Sequence, residues 1–446
     1  MFLLIYSYLL DCTRKPGTLE EQVVGRDCQA SSAPLGWEEK EVEVQLDRED
    51  DGNRLPRKQH IYLHATWRTG SSFVGELFNQ HPKVFYLYEP MWLMWQELFP
   101  GNAKSLQGAV RDMLRSLYLC DFSVLKLYTS SSMGDVKLTT HSVFGWKNNK
   151  VICSAPLCHA YTKDHVELVN GEKCGKQCPP RDIKELEREC RKYDVIVIKD
   201  VRVLDLKVLL PLMQDPSLNF KVIQLMRDPR AVHNSRMKSK QSLVKESIQV
   251  LKSKKRSEKY KSLWAPGKSH RVDTYVSSAL EVICESWSKD LTLVRDSPSW
   301  VRSRYVMVRY EDLVLKPRDT LRALYGFANI TVSPATEMYV LNMTKGEGYS
   351  SEKPFLISSR DAKEAIRAWR NGLSLWQIQQ VEQSCQEAMK VLVWCHGLCS
   401  LGTCMPQRLN NTTNYIYISA FHVGVHPKAL SNVRLAPKLL VSGPDT

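Results

Sequence analysis

The sequence predicts an α/β protein built on a P-loop-like parallel sheet flanked by helices. Three observations carry this reading. Val195-Ile196-Val197-Ile198 is an unbroken β-branched run, the pattern of a strand buried on both faces. Short apolar runs alternate along the chain with segments of helical periodicity, as crossover-connected parallel strands require. Two of these runs pass directly into turns rich in glycine, hydroxyls or arginine, at the strand ends where open α/β sheets bind ligands.

The elements follow in order. Thr13 to about Lys58 is polar, with an acidic, weakly alternating stretch from Trp37 to Asp51, so residues 1–58 read as an N-terminal segment and stem. Phe2 to Leu10 is apolar but interrupted by Ser7 and ended by Asp11. A membrane span needs roughly 20 apolar residues, and a signal peptide needs a basic start and a small-residue cleavage site. The run reads as an incomplete anchor. The folded domain is expected over 59–393. It opens with a strand at Ile61 to Thr66, a tight turn, and a helix marked by Phe73, Val74, Leu77 and Phe78. The Val195–Ile198 strand leads to a helix over Leu204 to Met213. Phe220 to Leu225 and Tyr305 to Val308 supply further strands. Lys238 to Trp264 is basic and reads as a solvated helix face or mobile loop, or else as a groove for an acidic glycan. Asp361 to Leu392 has the pattern of one amphipathic helix, and residues 394–446 show little periodicity and read as a divergent, poorly ordered tail.

Composition narrows the function classes. A chain of 446 residues with 43% hydrophobic and 25% charged residues excludes wholesale disorder. Its net charge of +14 favours a polyanionic partner without choosing among nucleic acid, anionic lipid, sulfated glycan and nucleotide. Thirteen cysteines and Asn-x-Thr glycosylation sites at Asn329, Asn342 and Asn410, with an overlapping one at Asn411, favour the secretory pathway. Cys153, Cys158, Cys174, Cys178 and Cys190 are spaced unlike the common four-cysteine zinc sites. Disulfides stapling an exposed, substrate-side excursion are expected there, with connectivity open and no metal.

Trp67-Arg68-Thr69-Gly70-Ser71-Ser72-Phe73 has what a phosphate-binding loop needs: a glycine for close backbone approach, hydroxyl donors, a cation and a helix N-terminus. It lacks the spacing and lysine of a Walker loop, which disfavours a nucleotide kinase or hydrolase of that class. Ser71 or Ser72 could instead simply cap the helix. Arg227-Asp228-Pro229-Arg230-Ala231-Val232-His233-Asn234-Ser235 stands at a second strand end, where an arginine fork and the Ser235 hydroxyl suit a second phosphate. Alone, it could be a surface salt-bridge corner.

Together these loops resemble the 5′-phosphosulfate and 3′-phosphate binding elements of the Golgi carbohydrate 6-O-sulfotransferases. The resemblance extends through Phe85-Tyr86-Leu87-Tyr88-Glu89-Pro90, Val197-Ile198-Lys199-Asp200-Val201-Arg202, Arg309-Tyr310-Glu311-Asp312-Leu313 and Ala368-Trp369-Arg370, over roughly residues 58 to 393. Tyr88 to Trp92 and Ser105 to Ala109 resemble most the branch that sulfates chondroitin N-acetylgalactosamine and N-acetylglucosamine at C6. The resemblance implies the sulfotransferase fold, 3′-phosphoadenosine 5′-phosphosulfate (PAPS) as sulfate donor, no metal, and a glycan rather than a nucleic acid as partner. It further implies a type II protein of the Golgi membrane facing the lumen. Chondroitin, keratan and terminal N-acetylglucosamine all present a C6 hydroxyl, so the acceptor stays open, as does a non-catalytic binder of sulfated glycans. Relatives tend to carry a histidine where this chain has Leu93, and no role is transferred there.

The donor's chemistry assigns roles. Negative charge grows on the phosphate leaving group, so catalysis rests on positioned donors. Arg68 with the amides of Gly70, Ser71 and Ser72 is expected to hold the 5′-phosphosulfate, and Arg227 with Ser235 the 3′-phosphate. Glu89, the acidic residue next after the first loop and its helix, is the candidate base for the sugar hydroxyl. Its alternative role is a turn cap or an arginine's partner.

Overall fold

The structure, a computed structural model, describes residues 58–129, 137–265, 270–346 and 357–392. The stem before Lys58, the tail over 394–446 and the sequons at Asn410 and Asn411 lie outside the described residues. Five strands form one parallel sheet: β1 (Gln59–His64), β2 (Val84–Tyr88), β3 (Val195–Asp200), β4 (Phe220–Met226) and β5 (Tyr305–Arg309), in the order β2-β3-β1-β4-β5. All four pairings are parallel. β3 is buried along its whole length, which explains its unbroken apolar run.

The register decides where the site lies. Tyr88 pairs with Lys199, Leu63 with Lys199, and His64 with both Asp200 and Gln224, so four strands end level and their following turns converge. Six helices bear on the site or its support: α1 (Ser71–Asn79), α2 (Trp92–Glu97), α3 (Pro229–Lys238), α4 (Lys240–Lys252), α5 (Val272–Asp296) and α6 (Leu375–Ser384). Asp290 of α5 locks the long helix to the sheet. Its carboxylate lies 3.0 Å from His64 Nε2, accepts from Gln224 Nε2 at 3.0 Å, and accepts from the Leu206 amide at 2.8 Å.

Several expectations change in detail. The first strand is Gln59–His64 rather than Ile61–Thr66, because Thr66 already belongs to the following turn. Leu204 to Met213 is no single helix: a 3-10 turn at Leu206–Leu209 precedes a short helix at Leu210–Gln214 that carries Pro211 in its first turn, where the missing N–H does no harm. The segment expected as one helix after Asp361 is broken into Ala362–Arg367, Trp369–Gly372, α6 and Gln386–Val391. Ser374 restarts it with a capping box to Gln377, yet Ala365, Trp369, Ile378, Val381 and Met389 still face inward. The basic stretch lies on α4 and the short helix after it, with Lys254 and Lys259 in ion pairs to Glu285 and Glu281 of α5.

Eight cysteines form the bridges Cys120–Cys190, Cys153–Cys174, Cys158–Cys178 and Cys284–Cys385. The expected disulfides are present. Although the sulfurs of Cys153, Cys174 and Cys178 lie close together, their bonding leaves no thiolates for zinc. No helix of the described residues is long and apolar enough to cross a membrane.

Candidate functional site

The turns at the strand ends enclose a cavity of about 410 Å³. Its first wall is the loop after β1. Arg68 (φ 76°) and Gly70 (φ 94°) both adopt left-handed backbone, turning the chain sharply into α1. A Cβ at Gly70 would sit 2.4 Å from Cδ2 of Tyr310, so glycine is required by space as well as by φ. Neither Ser71 nor Ser72 caps α1, whose N-cap is Gly70 without a side-chain bond. The first amides of the helix are therefore left without a side-chain cap, and Ser71 and Ser72 line the cavity. Trp67 and Phe73 also line it, whereas Thr69 is buried with its hydroxyl donating to the Thr66 carbonyl at 2.8 Å.

From the second loop, only Arg227 and Ser235 reach the cavity. Arg227 donates to the Arg68 carbonyl at 3.2 Å and to the Ala365 carbonyl at 2.9 Å, with its guanidinium 4.6 Å from the Tyr310 ring centroid. Ser235 Oγ accepts from Arg68 Nε at 2.9 Å, so the two loops are bonded to each other. The residues between them serve the helix and the core instead. Asp228 caps α3 and pairs with Arg230, which also pairs with Glu382 at 2.8 Å and stacks on Trp369. Pro229 opens the helix, Ala231 packs with Trp369 and Leu373, and Val232 is in the core. His233 is buried, and burial together with Arg236 pushes its pKa down to about 4. Asn234 abuts Gly372, where a Cβ would stand 2.4 Å from its Oδ1. A helix offers a single stripe to the cavity, which is why the contiguous motif does not act as a unit.

The third wall carries the acid. Glu89 follows β2 in a left-handed conformation (φ 45°), and its amide donates to the Lys199 carbonyl at 2.7 Å. Its carboxylate pairs with Lys199 and, at 3.0 Å, with Arg202. Burial by itself would raise the Glu89 pKa, but the Lys199 and Arg202 charges outweigh it and hold the carboxyl at about 2. Arg202 also reaches Asp200 at 3.2 Å, whose pKa burial raises. Lys199 Nζ lies 3.4 Å from Ser72 Oγ and 4.5 Å from the Tyr88 ring centroid. Glu89 is thus the ion-pair partner expected as its alternative role, and it also lines the cavity.

Lys199, Arg202, Tyr310 and Phe144 line the cavity without having been assigned roles from sequence. Two cations directly after the apolar Val195–Ile198 run are a readable signal for Lys199 and Arg202. Phe144 carries none. Asn329 and Asn342 are exposed.

Residues 58–392 match the family model described as "Sulfotransferase domain". The chain is 47% identical over 443 residues to carbohydrate sulfotransferase 7 of Rattus norvegicus, spanning 88% of this chain and 91% of that one. It is 50% identical over 348 residues to carbohydrate sulfotransferase 2 of Homo sapiens, spanning 75% and 65%. Among solved structures, the sulfotransferase domain from the curacin biosynthetic pathway aligns at 15% identity and a TM-score of 0.38, covering 77% of this chain and 99% of that one.

Proposed function

The chain belongs to the carbohydrate sulfotransferase family, and from that premise we propose that it transfers a sulfuryl group from PAPS to the C6 hydroxyl of N-acetylgalactosamine, as in chondroitin, or of N-acetylglucosamine. One observation carries the reading: the Arg68–Ser235 bond joins two anion-suited loops into one wall of a cavity whose other wall presents a carboxylate.

The residues present fit the donor. Gly70 leaves the backbone open to an anion, the first turn of α1 lines the cavity with no side chain capping its amides, and Arg227 and Ser235 offer a second cluster of donors. When bound, PAPS supplies an activated sulfuryl group and a phosphate leaving group. Arg68 and the amides of Gly70, Ser71 and Ser72 hold the 5′ end, while Arg227 and Ser235 hold the 3′-phosphate and so distinguish this nucleotide from ATP. Lys199, within reach of both Ser72 and Glu89, places positive charge between the donor loop and the acid. Glu89 is ionised, oriented by its two cationic partners and facing the cavity, which places it to receive the proton of the acceptor hydroxyl, while the same two charges lower its basicity.

Transfer of radiolabelled sulfate to a panel of chondroitin, keratan and N-acetylglucosamine-terminated acceptors tests the reading. Label on an amino-sugar C6 is the expected result; label on galactose alone, or none, overturns it. We further propose residence in the Golgi lumen as a type II membrane protein. Four disulfides and the exposed sequons at Asn329 and Asn342 support a luminal environment. Glycosidase-sensitive mass on protein from secretory cells checks it, and unmodified asparagines at both positions would count against it.

A further inference from the structure

We propose that Trp92, Phe144 and Asn148 form the acceptor-sugar subsite: an aromatic platform with one amide that seats an N-acetylhexosamine ring and presents its primary hydroxyl to Glu89. The inference rests on the glycan reading above and adds the residues that recognise the sugar.

Trp92 and Phe144 stack face to face, with ring centroids 4.3 Å apart and an interplanar angle of 13°, and both line the cavity. Tyr88 extends the wall, its ring 6.4 Å from Phe144. Trp92 is the first residue of α2, and its amide donates to the Glu89 carbonyl at 3.1 Å. The platform is therefore held one backbone turn from the acid.

Phe144 and Asn148 come from the excursion between β2 and β3, and the protein clamps that stretch tightly against the sheet end. Asn149 Oδ1 accepts from the Tyr88 amide at 2.9 Å, and Asn149 Nδ2 donates to the Gly145 carbonyl at 2.9 Å. Asn79 of α1 donates to the Asn148 carbonyl at 2.8 Å and accepts from the Lys150 amide at 2.9 Å. Gly145 has φ 65°, and a Cβ there would fall 2.7 Å from Tyr88 Cδ1. Beyond this point the two bridges Cys153–Cys174 and Cys158–Cys178 close the excursion on itself. With its backbone so fixed, Asn148 keeps a carboxamide that makes no hydrogen bond to another described residue and lines the cavity.

The sheet order sets this platform apart from the second donor loop, while the first donor loop reaches its edge, Ser72 Oγ lying 3.4 Å from the Tyr88 hydroxyl. Those loops follow β1 and β4, whereas Glu89 and Trp92 follow β2 at the far edge, beyond β3 with Lys199 and Arg202. β2 and β4 are three strand spacings apart, about 14 Å. An aromatic face carries negative potential and attracts the positive C–H face of a pyranose, while a few polar groups fix its orientation. A carboxamide offers both a donor and an acceptor, matching the N–H and C=O of an acetamido group.

The test uses the full chain saturated with 3′-phosphoadenosine 5′-phosphate (PAP), titrated with N-acetylglucosamine-, N-acetylgalactosamine- and galactose-terminated disaccharides, alongside acceptor kinetics. Phe144→Leu keeps an apolar side chain but removes the ring, and should weaken amino-sugar binding and raise acceptor KM about tenfold. PAP affinity should not change, and Phe144→Trp should restore binding. Asn148→Ala should lower the preference for N-acetylated sugars over galactose about tenfold. Acceptor binding unaltered by Phe144→Leu overturns the platform, and loss of PAP binding instead would make the rings a nucleobase site. A parent protein that binds and sulfates no amino sugar overturns the functional reading along with it. Sulfation by the parent with indifferent variants removes the platform alone.

Discussion

The Lys199 ammonium is paired with the Glu89 carboxylate and lies 3.4 Å from the Ser72 hydroxyl, so one cation touches both the acid of the cavity and the loop that opens it. The parallel register makes this possible, since it sets Lys199 level with Tyr88 on one side and Leu63 on the other.

Replacing Glu89 by Gln keeps an acceptor for Lys199 and Arg202 but removes the carboxylate proposed as the base. Turnover should fall about 100-fold or more while PAP affinity survives. Near-normal turnover in a folded, nucleotide-competent variant would remove Glu89 from the chemistry. The pH dependence provides a second readout. Because the folded-state pKa is held down at about 2, the stability contributed by Glu89 is present above the ordinary value of 4.5 and is lost as pH falls towards 2. Acid melting curves of Glu89→Gln should lack that component.

Arg227→Ala should weaken PAP binding by about 1.5 to 3 kcal/mol, the scale of a charged hydrogen bond, and leave AMP binding little changed. Calorimetry with both nucleotides measures the difference. Equal losses for PAP and AMP would show that Arg227 supports the Arg68 backbone rather than the 3′-phosphate.

Gly70→Ala should abolish donor binding. The new methyl meets the Tyr310 ring and the φ of 94° strains any side chain. Tyr310→Ala in the same chain should recover part of the affinity by relieving the clash but not the strain. Unchanged PAP binding in Gly70→Ala would show that the loop tolerates a different path.

Cys158→Ser with Cys178→Ser opens a bridge with a sequence separation of 20, and closing a loop of that size contributes about 3 kcal/mol. A lower melting temperature is expected, and non-reducing mass spectrometry of the parent should find both bridges of the excursion. Free thiols at Cys153, Cys158, Cys174 and Cys178, or stoichiometric zinc, would contradict this.

Glu76, buried in α1, provides a pH effect of opposite sign. Burial raises its pKa from 4.5 to about 7, against Asn79, Gln80 and Lys150, which favour the charged form. In that interval the folded chain keeps a proton that the unfolded chain has released, so stability declines as pH rises from 4.5 to about 7. Glu76→Gln should flatten the decline in melting temperature between about pH 4.5 and about pH 7. A slope equal to the parent's would show that other groups produce it.

Much of this was legible in residues. The apolar Val195–Ile198 run announced a parallel sheet, because burial on both faces leaves an unmistakable run, and the turns singled out after β1 and β4 both reach the cavity. The second loop was legible only at its ends. Arg230 is the residue type of a phosphate site, yet its charge is taken up by Asp228, which also caps the helix, and by Glu382, a partner that only the fold brings near. The helix breaks after Asp361 were hidden because the inward-facing pattern survives them. Phe144 had no signal at all: it reaches the cavity through an irregular excursion held by Asn79, Asn149 and disulfides rather than by any periodic element.

The bond from Arg227 to the Ala365 carbonyl joins residues 138 positions apart, and Tyr310, which packs on both Gly70 and Arg227, arrives late as well. During synthesis the first loop leaves the ribosome long before the groups that brace it. A growing chain that ends before Ala365 cannot complete the pocket, so nucleotide in the surrounding compartment can stabilise the finished domain but cannot template its early folding.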